Sequence, residues 1–265
     1  SAFANCTSLK SIVIPENVTC ISSNTFKNCH LEEITLPFTG GGPQNESSHK
    51  NDQLGYIFST TEFPGSYAVK CYTDSRYTYY VPETLKKVTL TKNAGEYAFA
   101  DCISLEEIVF AESFEDKKTE KYFAYNCKNL KNISLPSNIE FIGDMAFNGC
   151  SLIENIHIPE SVNRIYYGAF NNTKWYEKLK EKFEIVGNGV LLKYNGTDTE
   201  ITIPENVKCI SSAFEGRSDI TSVKIGSNVK TIGPRSFLGC TGVEEIYLPE
   251  TLELIEKGAL TGMCN

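Results

Sequence analysis

The chain has 265 residues, ten cysteines and a formal net charge of −8 at pH 7. It has no run of clustered lysine and arginine, which argues against nucleic-acid binding, because phosphate contacts require concentrated positive charge. No apolar stretch approaches the ~20 residues of a membrane helix, so we expect no membrane insertion.

One pattern recurs along almost the whole chain. Its first copy runs Phe3, Cys6, Leu9, Ile12, Ile14, Pro15, Val18 and Ile21. The phenylalanine anchors of the copies are Phe3, Phe26, Phe99, Phe123, Phe147, Phe170, Phe214 and Phe237, with Leu260 in the same slot. Most steps between anchors are 23 or 24 residues, and two longer steps of 73 and 44 residues carry insertions. Repetition at such a period is typical of a solenoid, in which each repeat packs only on its neighbours.

Each copy holds one predicted strand, because its apolar residues alternate with period two before a proline. In the first copy Ile12 and Ile14 point inward, while Ser11 and Val13 point outward. Nine such modules start near Leu9, Leu31, Leu85, Leu105, Leu130, Ile153, Glu200, Ile220 and Val243. We expect one right-handed, β-rich solenoid over residues 1–265, a single domain with one parallel sheet and short 3₁₀ or irregular segments opposite.

Two insertions interrupt the period. Residues 38–84 contain a glycine-rich stretch followed by a tyrosine-rich segment. Residues 174–200 predict a short helix at 174–182 and then a hairpin around Gly187-Asn188-Gly189.

Cysteines recur in one slot of the repeat. They are Cys6, Cys29, Cys102, Cys127, Cys150 and Cys240. A shared slot predicts a stacked column of small, buried, free thiols. The chain has no C-x-x-C pair, so we expect no zinc or other metal site. The pairing of Cys20, Cys71, Cys209 and Cys264 does not follow from the sequence.

Three stretches carry a resemblance to a known family. They are A-F-A-N-C-T-S-L-K-S-I-V-I-P at 2–15, A-F-N-G-C-S-L-I-E-N-I-H-I-P at 146–159 and S-F-L-G-C-T-G-V-E-E-I-Y-L-P at 236–249. In these the chain resembles leucine-rich repeats of the BspA (Treponema) class. The resemblance implies a leucine-rich repeat solenoid and an exported protein at the surface of a host-associated anaerobic bacterium. It also implies an adhesin-like role toward a protein or glycan, and it carries over no catalytic residue.

Acidic residues fall at outward positions of the predicted strands, among them Glu33, Glu107 and Glu245. They predict either an acidic strip for a basic partner or a divalent cation, or a solvated surface that keeps the sheet soluble. Both interpretations stay open.

Exposed aromatic residues are the other candidates, because aromatic side chains are enriched in recognition surfaces. Tyr247 and His157 lie on the predicted sheet. The insertion adds Tyr72, Tyr77, Tyr79 and Tyr80, which form either a contact surface or the core of the insertion itself. Alternate residues of a strand face opposite ways, so some of these tyrosines must pack inward.

The sequence gives little support for an enzyme. It has three histidines, none placed as a catalytic dyad, and its glycine-rich stretch lacks the G-K-[ST] ending of a phosphate loop. We expect no cofactor and a monomeric chain. Two function classes remain: a surface-binding module, and spacer repeats that project another domain.

Overall fold

A computed structural model describes residues 2–42, 52–72 and 74–263. The elements in chain order are β1 (Ser11–Val13), β2 (Glu33–Leu36), α1 (Gly55–Phe58), β3 (Ser66–Lys70), β4 (Thr78–Pro82), β5 (Lys87–Leu90), β6 (Glu107–Phe110), β7 (Lys118–Thr119), β8 (Asn132–Ser134), β9 (Phe141–Ile142), β10 (Arg164–Ile165), α2 (Lys174–Lys178), β11 (Phe183–Val186), β12 (Val190–Tyr194), β13 (Glu200–Thr202), β14 (Cys209–Ile210), β15 (Ser222–Lys224), β16 (Thr231–Ile232), β17 (Glu245–Tyr247) and β18 (Leu254–Ile255). Short strands separated by turns are what the repeat pattern predicts, and the solenoid prediction is confirmed.

The chain forms two compact units. Unit one comprises Ser1–Pro136, Met145–His157 and Phe170–Glu177; unit two comprises Ser137–Asp144, Ile158–Ala169 and Lys178–Asn265. The single domain stays a prediction.

Unit one contains a parallel ladder in the order β1-β2-β5-β6-β8. Its inward positions align across the repeats, and Ile34, Val88, Ile108 and Ile133 are buried. Full burial of such a side chain contributes about 1.5–3 kcal/mol. The ladder therefore continues the hydrophobic core from one repeat to the next.

Phenylalanine anchors form the other side of the core. The rings of Phe147 and Phe170 stack with centroids 5.5 Å apart in unit one. Those of Phe214 and Phe237 stack at 5.1 Å in unit two. All four rings are among the largest fully buried side chains, so the anchor slot holds the repeats together by ring stacking.

The first insertion supplies a turn of the stack, which the sequence did not indicate. Phe58 of α1 is fully buried with its ring centroid 6.1 Å from that of Phe26. Phe26 N–H donates to Ile57 O at 2.9 Å, and Leu54 N–H donates to Ala98 O at 2.8 Å. Phe58 is an anchor without the following cysteine, which is why the spacing rule missed it. The antiparallel hairpin β3–β4 follows it.

The expectation of one sheet with irregular segments opposite is wrong in part. The Val-x-x-Ile segments form a second row of two-residue strands: β9 pairs with β10, and β14, β16 and β18 pair successively in parallel, continuing from the longer hairpin strand β12. Their backbone groups would otherwise lie near the core without partners, which is costly, so adjacent repeats pair them. Unit two also holds the parallel ladder β13-β15-β17.

The strand predicted near Ile153 does not form: residues 151–159 are described and carry no strand. Helix α2 contacts this segment, because Trp175 N–H donates to Ile153 O at 2.8 Å. A helix takes the place in which the other repeats put a strand, so the ladder of unit one ends at β8.

The second insertion has the predicted order of elements. Its helix is shorter than predicted, at Lys174–Lys178. The hairpin β11–β12 turns through Gly187 and Gly189, which have φ of +53° and +78°. Within the described residues, no helix is both long and apolar enough to cross a membrane.

Candidate functional site

The outward face of the unit-one ladder carries a row of alternating polar residues. Glu33, Lys87 and Glu107 lie side by side in register. Lys87 Nζ lies 3.1 Å from Glu107 Oε2. The two acids predicted here as part of an acidic strip therefore flank a lysine.

The row one residue earlier is also neutralised by pairs. Lys10 Nζ lies 3.0 Å from Glu32 Oε1. Glu106 is contacted by Lys86 at 3.7 Å and by Lys131 at 2.8 Å. The hydrogen bond and charge of Lys131 hold the pKa of Glu106 below its usual range. In unit one, lysines of adjacent repeats therefore alternate with the acids, so the acidic positions do not form a continuous strip there.

A second outward row is uncharged and was not singled out from the sequence. It aligns Val13, Thr35, Thr89, Val109 and Ser134. Val13 is 70 % exposed, and the next three are half-buried. The signal for it lies in the residue between the two inward apolar residues of each strand, which is β-branched in four of these five repeats.

In unit two the outward rows are Glu200, Ser222 and Glu245, and Thr202, Lys224 and Tyr247. Tyr247 is 55 % exposed. Its hydroxyl donates to Glu245 Oε2 at 2.5 Å, and this hydrogen bond raises the pKa of Tyr247. The two candidate residues therefore form one hydrogen-bonded pair at the last strand of this ladder.

His157 lies in a cleft of unit one. The cleft has a volume of about 450 Å³ and is lined by Ile133, Ser134, Leu135, Asn155, Ile156, His157 and Trp175. A second cavity of about 310 Å³ is lined by Lys131, Asn132, Leu152, Glu154 and Asn155. The two share Asn155, and together they follow the gap left where the ladder stops. His157 is exposed at this gap.

The tyrosines of the first insertion divide between core and surface. Tyr79 is only 2 % exposed, so its inclusion among the contact residues is a correction: it belongs to the core of the insertion, edge-on to Tyr56 at 6.5 Å. Tyr80 is half-buried, and its N–H donates to Ser59 O at 2.8 Å. Tyr77 is 38 % exposed beneath the guanidinium of Arg76.

Tyr72 belongs to a four-tyrosine cluster. Its ring stacks on Tyr97 at 5.0 Å, Tyr97 stacks on Tyr122 at 4.8 Å, and Tyr125 meets Tyr72 and Tyr122 edge-on. All four side chains are half-buried. Asp101 Oδ2 accepts a 2.6 Å hydrogen bond from the Tyr72 hydroxyl. Burial is the largest cause that raises the pKa of Tyr72, followed by this bond.

Sequence reasoning missed Tyr97, Tyr122 and Tyr125. The first two have φ of +58° and +55°. Comparable positive-φ turn positions elsewhere hold Asn24 (+57°) and Gly168 (+62°), and also Met145 (+53°) and Arg235 (+58°). A left-handed conformation costs a bulky residue about 1–2 kcal/mol, so ring stacking must offset this cost. The signal that could have found them is the recurrence of tyrosine at 97, 122 and 125, around the anchors Phe99 and Phe123.

The cysteine column is largely internal. Cys29, Cys127, Cys150 and Cys240 each place Sγ 2.9–3.0 Å from a carbonyl oxygen of the preceding anchor segment. Cys102 is buried as well. Burial raises the pKa of Cys240 to about 11. The thiols thus act as small buried donors.

Cys6 is a correction to the predicted column, because its side chain is exposed. It lies in the first repeat of the described chain, and no earlier repeat packs on it there. Of the cysteines outside the column, Cys20 is exposed, while Cys71 and Cys209 are buried. Cys264 lies outside the described residues. The structure describes no group of three or more histidine, cysteine, aspartate or glutamate side chains that could hold a metal ion.

The chain belongs to the BspA type leucine-rich repeat family. Six copies of this repeat region match over residues 1–45, 75–190 and 178–265, which leaves 46–74 of the first insertion unmatched. No curated protein matches the sequence.

Solved structures give matches of low identity. The T. pallidum leucine-rich repeat protein TpLRR is 20% identical with a TM-score of 0.32, covering 74% of this chain and 86% of its own. The pneumococcal vaccine antigen PcpA is 17% identical with a TM-score of 0.33, covering 92% and 62%. A leucine-rich cell surface protein from Faecalibacterium prausnitzii is 17% identical with a TM-score of 0.31, covering 76% and 78%.

Proposed function

We propose that this chain is a non-enzymatic binding module of a bacterial cell-surface protein and that it recognises a protein or glycan, in the manner of an adhesin. The observation that carries this proposal is the cluster of Tyr72, Tyr97, Tyr122 and Tyr125. Two of these residues keep a costly backbone conformation while holding their rings at the surface. Met145 and Arg235 adopt the same conformation in other repeats, so the distinguishing feature of the cluster is its stack of half-buried rings.

The chemistry of the cluster suits a macromolecule. Tyrosine offers a large amphipathic area at low entropic cost, and it is enriched in interfaces. The outward face of the unit-one ladder is extended and carries internally paired charges, so it offers contact area without a strong field. Membership of the BspA type family supports a location at the cell surface, as the resemblance above implies. The predicted contacts at Tyr247, His157, Glu33, Glu107 and Glu245 remain part of this proposal.

A screen against immobilised host matrix proteins and glycans tests the proposal. We expect at least one partner whose affinity falls by tenfold or more in the variant Tyr97→Ala/Tyr122→Ala. Lys208→Ala in unit two is the matched surface control and should leave binding unchanged. Deleting the whole insertion is not a clean test, because Phe58 and α1 complete the stack.

The alternative is a set of spacer repeats that project another domain. The alternating Lys–Glu rows favour it, because they satisfy their charges within the chain. A screen without a partner, or a partner indifferent to the tyrosine variant and to Glu107→Lys, would make the spacer the better function.

A further inference from the structure

The cleft beside β8 has two walls, residues 133–135 and residues 155–157. Both walls expose backbone groups that the other repeats use for strand pairing. In the other repeats, the inward residue before the proline donates its N–H to the next repeat. Ile14 N–H donates to Thr35 O at 2.9 Å, and Ile203 N–H donates to Lys224 O at 2.9 Å. Leu135 occupies the same position. Within the part of the chain that the structure describes, its N–H makes no hydrogen bond.

The opposite wall is equally open. Asn155, Ile156 and His157 form no hydrogen bond through either backbone group to any described residue. By the register of the other repeats, Asn155 and His157 direct their N–H and C=O groups toward β8. Ile133 and Leu135 direct theirs toward them. Four residues thus present backbone donors and acceptors across the gap without pairing.

Contacts with helix α2 hold the residues that precede Asn155. Trp175 N–H takes the carbonyl of Ile153, and the Trp175 ring packs on Phe170 with centroids 4.9 Å apart. Lys174 Nζ holds Glu154 Oε1 at 2.8 Å. These contacts anchor the residues immediately before Asn155 to α2 instead of to β8.

Unpaired strand edges are templates for another strand, because each N–H and C=O lacks only its partner. The larger cleft is lined by apolar and neutral side chains together with His157. The charged groups at its end are already paired: Lys131 with Glu106, and Glu154 with Lys174. This electrostatic setting favours an extended peptide with uncharged side chains over an acidic or basic one.

We infer that the cleft between β8 and residues 155–157 is an acceptor site for an extended peptide segment of a partner protein, which hydrogen-bonds as an added β-strand to the unpaired backbone groups of this cleft. The inference rests on the proposed function in that it supplies a peptide-binding mode for a protein-binding module. It uses residues that lie apart from the tyrosine cluster, so the two sites can fail independently.

The test is a titration of the full chain with a synthetic peptide. The probe is acetylated and amidated Ser-Ile-Val-Ile-Pro, which copies residues 11–15, carries no charge and has the side-chain pattern of the ladder. Trp175 is the single tryptophan of the chain and lines the cleft, so its fluorescence reports binding there. We expect a saturable change in emission with a dissociation constant below about 1 mM.

Two controls separate strand addition from other binding. A peptide N-methylated at two alternate residues keeps its side chains but loses donors, and it should bind at least tenfold more weakly. In the protein, Asn155→Pro removes one wall donor that has no partner to lose, and it should weaken binding equally, while Asn155→Ala should not.

Absence of saturation, or equal binding of the N-methylated peptide, would overturn the acceptor site. If Asn155→Pro fails to fold by circular dichroism, the peptide pair alone decides. If a matrix partner binds in a Tyr97-dependent way and the peptide does not bind, the proposed function is supported and the acceptor site is overturned. If the peptide binds and the screen finds no matrix partner, the acceptor site is supported and the proposed function is overturned.

Discussion

In unit two the guanidinium of Arg164 meets the carboxylate of Glu256, with 3.4 Å between Nη1 and Oε1. Arg164 is in β10 and Glu256 directly follows β18, so the pair reaches across the second row of strands. Arg164 Nε and Glu256 Oε1 are buried and have no hydrogen-bond partner among the described residues. Burial raises the pKa of Glu256, and Arg164 only partly opposes that rise. The pair joins distant repeats at a net desolvation cost.

The first prediction is a pH dependence at Glu256. An unfolded glutamate has a pKa of about 4.3, and the folded pKa lies above it. The folded state therefore holds this proton more tightly, and its stability relative to Glu256→Gln falls as pH rises through the interval between the two values. Urea unfolding of both proteins at pH 4 and pH 7 measures the difference. A difference that does not change between these pH values contradicts the assignment.

The repeat pattern predicted more of the fold than of the candidate site, for a physical reason. The burial of anchors such as Phe147 can be predicted from a single repeat, because an apolar residue recurs at the same position of each copy. The second row of strands needs the pairing of adjacent copies, and a segment as short as Thr231–Ile232 carries too little alternation to indicate it. The stacking of Tyr72 on Tyr97 depends on how the insertion folds back on the next repeat. The missing strand near Ile153 depends on α2, which lies in the other insertion.

A second prediction concerns the anchor column. Phe147→Ala should lower the free energy of unfolding by roughly 3–5 kcal/mol, because its ring is fully buried between Phe123 at 5.8 Å and Phe170 at 5.5 Å. Ser134→Ala, at an exposed strand position, should change it by less than about 0.5 kcal/mol. Chemical denaturation compares them, and equal effects would mean that the inward face has been misassigned.

Thiol accessibility gives a third prediction. In the native protein Cys6 and Cys20 should react rapidly with iodoacetamide, because both are exposed. Cys29, Cys127 and Cys150 should react only after unfolding, since they are buried and burial raises the pKa of Cys29 and Cys127. Peptide mapping by mass spectrometry identifies the labelled sites. Rapid native labelling of Cys127 would contradict the buried column.

The tyrosine cluster allows a fourth prediction that separates stacking from backbone strain. Tyr97→Ala loses the ring and keeps the left-handed backbone at φ +58°, whereas Tyr97→Asn loses the ring but suits that conformation better. The asparagine variant should therefore be the more stable of the two by roughly 0.5–1 kcal/mol. Both should lose partner binding equally, because both lack the ring. Thermal unfolding and the matrix screen give the two readouts, and an affinity that tracks stability would assign the ring to structure alone.

The last prediction concerns the hairpin turn of the second insertion. Gly187 has φ of +53°, and a Cβ there would lie 2.5 Å from the carbonyl oxygen of Val162. Gly216 has φ of +76° with no heavy atom within 4 Å of such a Cβ. Gly216→Ala should thus cost only the strain of an alanine at positive φ, about 1 kcal/mol, while Gly187→Ala should cost clearly more because the backbone must also move. Asn188 N–H donates to the same carbonyl at 2.7 Å, so that displacement also strains this contact. Urea unfolding of both variants ranks their losses of stability. A larger loss for Gly216→Ala would contradict the prediction and show that the hairpin turn relaxes to relieve the contact between residue 187 and the Val162 carbonyl.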